Sequence, residues 1–383
     1  MVCRNCIPVE WNCSQEVDMK IRFAIIGAGW RAQYYVRIAR ALPEIFECVG
    51  IFCRSEEKAE RTAALTAMNC FTSAEALLKQ NPEFIVVAVS KQNIPSVVLE
   101  WLERGVPVLS ETPAALDRVM LERLWTASDQ GKNLSVAEQY MHYPENTARM
   151  KLIEKGLIGT PYFLYLSKAH EYHAMSMIRS YLQVSTGEGY VIAADSASFP
   201  TVQTLTRKER IRDGRIINST RTAAWIRFGS GKAALYDFDS EQYCSLIRGS
   251  GIRVQGVSGE ITNEHVRWLD ESFSEQEAVL DIRTRTVETE SENPNFQRFE
   301  EVEEIRFQDE VLYSPPFGLC SLSQDETAIA SLLKEMGGYV RGENKVPYPL
   351  SHALMDAMMA MDLRKAVESG TRISSEKDDP WLK

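Results

Sequence analysis

Lys20–Arg54 reads KIRFAIIGAGWRAQYYVRIARALPEIFECVGIFCR, and this stretch decides the fold. Ile21–Ile26 is a short apolar run broken only by Arg22, the mark of a strand buried on both faces. Gln33–Leu42 reads as a helix, with Tyr34, Ile38 and Leu42 at helical spacing and Pro43 just beyond. Phe46–Cys53 is a second strand. Between the first strand and the helix lies Gly27-Ala-Gly29-Trp-Arg-Ala32. Gly27 allows the tight turn, Gly29 lets a pyrophosphate approach the backbone, and Ala32 keeps the helix close to the strand. The helix N-terminus offers N–H groups and a positive dipole end to phosphates. The pattern predicts dinucleotide binding on Gly27, Ala28, Gly29, Trp30 and Arg31.

Outward from this stretch the alternation continues. A helix over Glu56–Met68, a strand Phe84–Val89, a helix Ile94–Arg104 and a strand Val106–Ser110 follow. A helix Arg118–Gln130 stops at Gly131, and Leu134–Gln139 is the last strand of the series. Such βα units predict a doubly wound parallel Rossmann sheet. Near residue 160 the texture changes. Tyr162–Ala169 alternates and is rich in aromatics, and Ala223–Phe228 and Ala233–Phe238 flank Gly229-Ser230-Gly231, a hairpin signal. Ile252–Gln255, Val279–Arg283 and Ile305–Phe307 are further strands, so the second half carries a largely antiparallel sheet. Residues 285–301 are polar and acidic and read as a solvated loop or hairpin tip. Two helices, Asp325–Val340 and Ser351–Glu368, close the chain. The expected division is an extension over 1–18, a dinucleotide-binding domain over 19–141 and a second domain over 142–383. The helix 351–368 is expected to pack back near the first domain.

Composition narrows the partners. The 383 residues carry 43 Lys plus Arg against 53 Asp plus Glu, a net charge of −10, which disfavours nucleic acid and anionic membrane. No apolar run approaches the ~18–20 residues of a membrane span. The eight cysteines are scattered, as expected of free thiols in a reducing compartment, and a cytoplasmic location is expected. Cys3, Cys6 and Cys13 lack a second pair and a nearby His, so no metal site is expected. Met19-Lys20 opens directly into a strand, as a natural start would, and residues 1–18 are expected to be loosely ordered.

The second strand ends in Cys53-Arg54-Ser55. An acidic side chain near this point holds the ribose of NAD in many such folds, and Cys53 cannot do so. Arg54 and Ser55 suit a 2′-phosphate instead, so NADP(H) is favoured, with NAD(H) as the alternative.

Together, Lys20–Arg54, the strand to Val89, Glu111-Thr112-Pro113, Lys151–Gly159, Gly256–Glu260 and the final helix ending at Gly370 resemble the Gfo/Idh/MocA oxidoreductases. The resemblance covers nearly everything after residue 19. It implies an N-terminal Rossmann domain and a C-terminal α/β domain on an open, mostly antiparallel sheet, with hydride transfer between NAD(P) and a hydroxyl of a sugar, cyclitol or related small molecule. It also makes 142–383 the substrate and dimerisation domain, with a homo-oligomer, a dimer or higher, formed through the exposed sheet face. It places Val89, Ser90, Glu111, Thr112 and Gln139 among the cofactor contacts. Two departures stand out. The family's Glu-Lys-Pro is here Glu111-Thr112-Pro113, and the stretch aligned with its Asp…His segment, Gly187–Pro200, has Asp195 but no His.

Moving a hydride at an alcohol carbon also moves a proton, which suits His. Among five histidines, His170 and His173 lie together in Ala169-His-Glu-Tyr-His173, with Glu171 and Tyr172 as an orienting carboxylate and a phenol. His173 is the preferred acid/base and His170 the second, with Tyr140 a contact to nicotinamide or substrate. His265 and His352 read as structural, and one or two of Arg179, Arg207, Arg212, Arg221 and Arg248 as facing the cleft. The chain reads as an NAD(P)-dependent oxidoreductase. A dinucleotide-retaining lyase or glycoside-cleaving enzyme and a non-catalytic dinucleotide-binding protein are the alternatives.

Overall fold

The computed structural model describes residues 19–206, 209–291, 294–375 and 379–382. The extension over 1–18, with Cys3, Cys6 and Cys13, lies outside the described residues, as does Arg207.

The chain begins β1 (Ile21–Ile26), α1 (Ala32–Ala41), β2 (Phe46–Phe52), α2 (Glu56–Thr66), β3 (Cys70–Phe71) and α3 (Ala74–Leu78). It continues β4 (Phe84–Val87), α4 (Ile94–Glu103), β5 (Val108–Ser110), α5 (Arg118–Ala127) and β6 (Leu134–Val136). The strands form one parallel sheet in the order β3-β2-β1-β4-β5-β6. β4, β5 and β6 are wholly buried, which is why they read as continuous apolar runs. Ser55 and Asp117 cap α2 and α5 by accepting the backbone N–H of Lys58 and Met120. The order reverses between β1 and β4, and that reversal opens a crevice at the carboxyl ends of the strands.

After α6 (Pro144–Glu154) come β7 (Pro161–Ser167), α7 (Glu171–Tyr181), β8 (Tyr190–Val202), β9 (Ile216–Phe228) and β10 (Ala233–Asp239). β11 (Gly251–Gly256), β12 (Gly259–Thr262), β13 (His265–Leu269) and β14 (Glu275–Glu288) follow, then α8 (Pro294–Gln297), β15 (Arg298–Phe307) and β16 (Glu310–Tyr313). α9 (Gln324–Val340), α10 (Leu350–Ser369) and β17 (Ile373–Ser374) complete the series. The second sheet has eleven strands in the order β16-β15-β14-β13-β12-β11-β7-β10-β9-β8-β17, and only β7 and β10 pair in parallel. The hairpin at Gly229–Gly231 joins β9 to β10 as its sequence predicts. The fold is therefore a Rossmann sheet plus a mostly antiparallel one.

Residues 285–301 form the tip of the β14–β15 hairpin, in line with the hairpin-tip reading, with β14 running through Glu288 and β15 beginning at Arg298. Their charges pair across the strands, with Arg285 donating to Glu301 at 2.6 Å and Thr286 to Glu300 at 2.8 Å, so polar composition is compatible with pairing here. Gly187–Pro200 is mostly β8, with Asp195 exposed on it. Pro200 is tolerated because, among the described residues, residues 373–375 cover that edge of β8 only at residues 190–192, far from Pro200.

α9 packs on α1, β1 and β4, and its Ile329, Leu332, Leu333 and Met336 share a core with Phe23, Ile25, Tyr35, Ile38 and Phe84. The approach is close: a Cβ on Gly337 would fall 2.6 Å from Ile21 Cδ1. α10 packs on α7 and β8 and also touches α5 and β6. No helix among the described residues is long and apolar enough to cross a membrane.

Candidate active site

The Gly27–Arg31 turn lies at the crevice between β1 and β4. Gly27 has φ +111°, and a Cβ there would fall 2.4 Å from the Ala88 carbonyl oxygen, so the turn requires glycine on both counts. A Cβ on Gly29 would meet nothing within 4 Å. That open side faces a cavity of about 600 Å³ lined by Gly27–Arg31, Cys53, Arg54, Ala88, Val89, Ser90 and the first two turns of α4. α1 has no side-chain cap at its N-terminus, so its first N–H groups are not taken up by a capping residue. This cradle fits a dinucleotide pyrophosphate.

Of the expected cofactor contacts, Gly27, Ala28, Gly29, Trp30, Arg31, Cys53, Arg54, Val89 and Ser90 line this cavity. The Cys53 thiol itself is buried against Thr62. Ser55 lines an adjoining hollow with Lys58 and Arg61, its hydroxyl engaged in capping α2. Glu111, Thr112 and Gln139 are not part of this lining and gather at a second cluster. There the Arg31 side chain turns away from the cradle, donating from Nε to Glu111 Oε1 at 2.7 Å and from Nη1 to Asp325 Oδ2 at 2.9 Å. Tyr35 donates to the same Glu111 oxygen at 2.6 Å. Asp325 Oδ1 accepts from Gln139 Nε2 at 3.0 Å and from the Tyr143 hydroxyl at 2.9 Å. Burial would push the Asp325 carboxyl up, but Arg31 and these donors hold it below the usual carboxylate range.

His173 reaches this region from the second sheet. His170 is the N-cap of α7, and His173 lies in its first turn. His173 Nε2 is 3.4 Å from Thr112 Oγ1, at the end of β5, and Nδ1 is 2.6 Å from Glu138 Oε2, just after β6. The Glu138 side chain is fully buried and that of His173 is 11% exposed. The Tyr140 ring lies against the imidazole, ring centres 4.5 Å apart and planes tilted by 34°, and its hydroxyl meets that of Tyr243 at 2.9 Å. Burial, reinforced by Tyr243, pushes the Tyr140 phenol well above its ordinary range, so it stays protonated at neutral pH and can only hydrogen-bond. His170 Nδ1 lies 2.9 Å from the Tyr243 hydroxyl.

This geometry revises several expectations. The carboxylate beside His173 is Glu138, whereas Glu171 Oε2 lies 3.6 Å from Arg364. Glu138 ends a buried strand, which is its only sequence signal, because its partner is 35 residues away. Tyr172 is buried, and burial raises its phenol pKa. Gly187–Pro200 carries no histidine, and α7 instead brings His173 to the Glu111-Thr112-Pro113 turn. Arg179 is buried on Asp356, Arg221 is paired with Asp237, and Arg248 donates to Thr201, so these arginines are engaged elsewhere. His352 is structural, accepting from Arg179 at 3.1 Å.

Residues 21–138 match the family model described as "Oxidoreductase family, NAD-binding Rossmann fold", GFO_IDH_MocA. No curated protein sequence matches the chain. Among solved structures, an oxidoreductase from Agrobacterium radiobacter in complex with NAD+, L-tartaric acid and magnesium superposes with TM-score 0.62 at 12% identity, over 93% of this chain and 98% of that one. The WlbA dehydrogenase from Bordetella pertussis, in complex with NADH and UDP-GlcNAcA, gives 0.60 at 17% identity, over 94% and 99%. A myo-inositol dehydrogenase from Corynebacterium glutamicum gives 0.61 at 15% identity, over 94% and 99%. Residues 21–138 thus match that family's NAD-binding Rossmann fold, and the whole chain shares the fold of these solved structures.

Proposed function

We propose that the chain is an NAD(P)-dependent oxidoreductase that moves a hydride to or from a hydroxyl-bearing carbon of a small polyhydroxylated substrate, with His173 as acid/base. The observation that carries this reading is the Glu138–His173 pair, set between the Thr112 turn and α7, where the two sheets meet. The dinucleotide, when bound, supplies or accepts the hydride. The Gly27–Arg31 backbone holds its phosphates, and Val89 and Ser90 line the same cavity. Glu138 accepts a hydrogen bond from Nδ1–H of His173, which leaves Nε2 as the proton acceptor. When Nε2 takes the hydroxyl proton, the buried Glu138 carboxylate balances the imidazolium. Thr112 offers that hydroxyl a hydrogen bond, though no charge, at the place where the resemblance expects lysine. Tyr140 packs against the imidazole and limits its movement. NADP(H) is favoured over NAD(H) because Arg54, Lys58 and Arg61 all lie at the end of β2 and the start of α2.

The test is hydride transfer over a panel of sugars and cyclitols with each dinucleotide. His173→Ala is expected to lower kcat by roughly 10²–10⁴-fold and to leave dinucleotide affinity unchanged. Glu138→Gln should shift the pH profile of kcat and leave dinucleotide affinity alone. Normal turnover by His173→Ala overturns the assignment.

A further inference from the structure

His170, whose ring centre is 5.3 Å from that of His173, also lines a cavity of about 430 Å³. The cavity lies on the helix-facing side of the second sheet, bounded by the start of α7 and the end of α10. Its walls include Tyr236 and Phe238 of β10, with ring planes 10° apart, and Tyr243, whose ring centre is 5.1 Å from that of Phe238. Hydroxyls from β9 and β10 add polar edges. Glu171, Arg364 and Glu368 supply the charges.

Two observations mark a built site. Glu171 holds φ +30°, a left-handed conformation that a non-glycine residue keeps only where its surroundings enforce it, and such strain gathers at ligand sites. Its backbone N–H donates to the Tyr236 hydroxyl at 3.1 Å, which ties the strained residue to the aromatic wall. The charges also have a definite sense. Arg364 faces Glu171 at 3.6 Å, while Glu368 has no ion-pair partner among the described residues. The cavity thus carries one uncompensated carboxylate. An anionic ligand would have to compete with Glu171 for Arg364 and would lie near Glu368, and like-charge juxtaposition is a strong means of rejecting a wrong partner. A neutral ring can stack its C–H faces on the aromatic wall and donate its hydroxyls to the carboxylates. An ammonium gains from both the carboxylates and the ring faces.

We propose that this cavity is the substrate subsite and that it takes an uncharged or amine-bearing polyhydroxylated ring while rejecting carboxylated and phosphorylated ones. The proposal rests on the oxidoreductase reading above, because the reacting hydroxyl must reach His173 past His170. The test therefore separates binding from turnover. The full chain is saturated with NADPH, so that a hydroxyl-bearing ring forms a dead-end complex. D-Glucose, D-glucosamine, D-glucuronate and glucose 6-phosphate are then titrated by saturation-transfer NMR, below the pKa of the amine. Hydride transfer is followed separately with NADP+.

Glucose and glucosamine are expected to bind, with the two anions weaker by roughly 10-fold or more. Glu368→Gln, at an exposed helix end, should narrow that gap several-fold. Anions that bind as tightly as glucose, and lose that binding in Arg364→Gln, overturn the proposal, as does the absence of binding by any of the four. Binding in the expected order without hydride transfer upholds the proposal and counts against the redox reading instead.

Discussion

Glu335 on α9 and His142, just after β6, face each other at 3.8 Å. Burial pushes the Glu335 carboxyl up to about 7 and the His142 imidazole down to about 4. Between its ordinary pKa and 7, folded Glu335 keeps a proton that the unfolded chain has lost, so its contribution to stability falls as pH rises and the penalty is complete above 7. His142 acts in the opposite sense between 4 and its ordinary pKa, because the unfolded chain binds the proton and the fold does not. The two contributions offset each other until His142 would be neutral in either state, beyond which only the Glu335 penalty is left. Glu335→Gln should therefore raise Tm more at pH ~8 than at pH ~5. Equal shifts at the two pH values would rule this out. Arg54 carries a second expectation at this scale. Arg54→Ala should weaken NADPH binding and leave NADH binding nearly unchanged, as measured by fluorescence titration; unchanged NADPH affinity would remove the case for NADP(H). His173 stood out in the sequence because histidine is scarce in this chain and two of the five fall within four residues. Glu138 did not, because a carboxylate at a strand end acquires meaning only from what the fold sets against it.

At the scale of elements, α7 and α10 are joined by a buried ion pair. Arg179 donates to Asp356 at 2.7 Å, both side chains are at most 2% exposed, and the Tyr348 hydroxyl also donates to Asp356. Removing one partner strands the other charge away from water. Asp356→Asn should destabilise the fold by roughly 3–5 kcal/mol, measured by denaturant unfolding. A loss under ~1 kcal/mol would mean that water compensates Arg179. The parallel sheet was legible strand by strand, because strands buried on both faces leave unbroken apolar runs bounded by turn residues. β3 was missed because two residues leave no pattern. β8 was missed because Ala, Ser, Asp and Pro200 occupy a strand whose outer edge is covered, among the described residues, only near its start. The ends of β14 and β15 were missed because their charges are satisfied across the hairpin, a pairing that composition cannot reveal.

At the scale of the whole molecule, the outer face of the eleven-stranded sheet presents Trp225, 44% exposed, beside Phe163, with Val279 exposed farther along. An apolar sheet face of this kind suits a second copy of the chain. Trp225→Glu is expected to shift the protein toward monomer in sedimentation, with unchanged dinucleotide affinity; an unaltered sedimentation coefficient would place any self-association elsewhere. The seat of α9 has a different consequence, one of order in time. Roughly two hundred residues separate β6 from the helix that covers Phe23, Ile25 and Phe84. At ~5–20 residues per second, a ribosome finishes the last strand of the parallel sheet some ~10–40 s before it delivers that cover. The nucleotide-holding half is continuous in space but not in synthesis. It leaves the exit tunnel with one flank bare and can complete its core only when the far end of the chain returns to it.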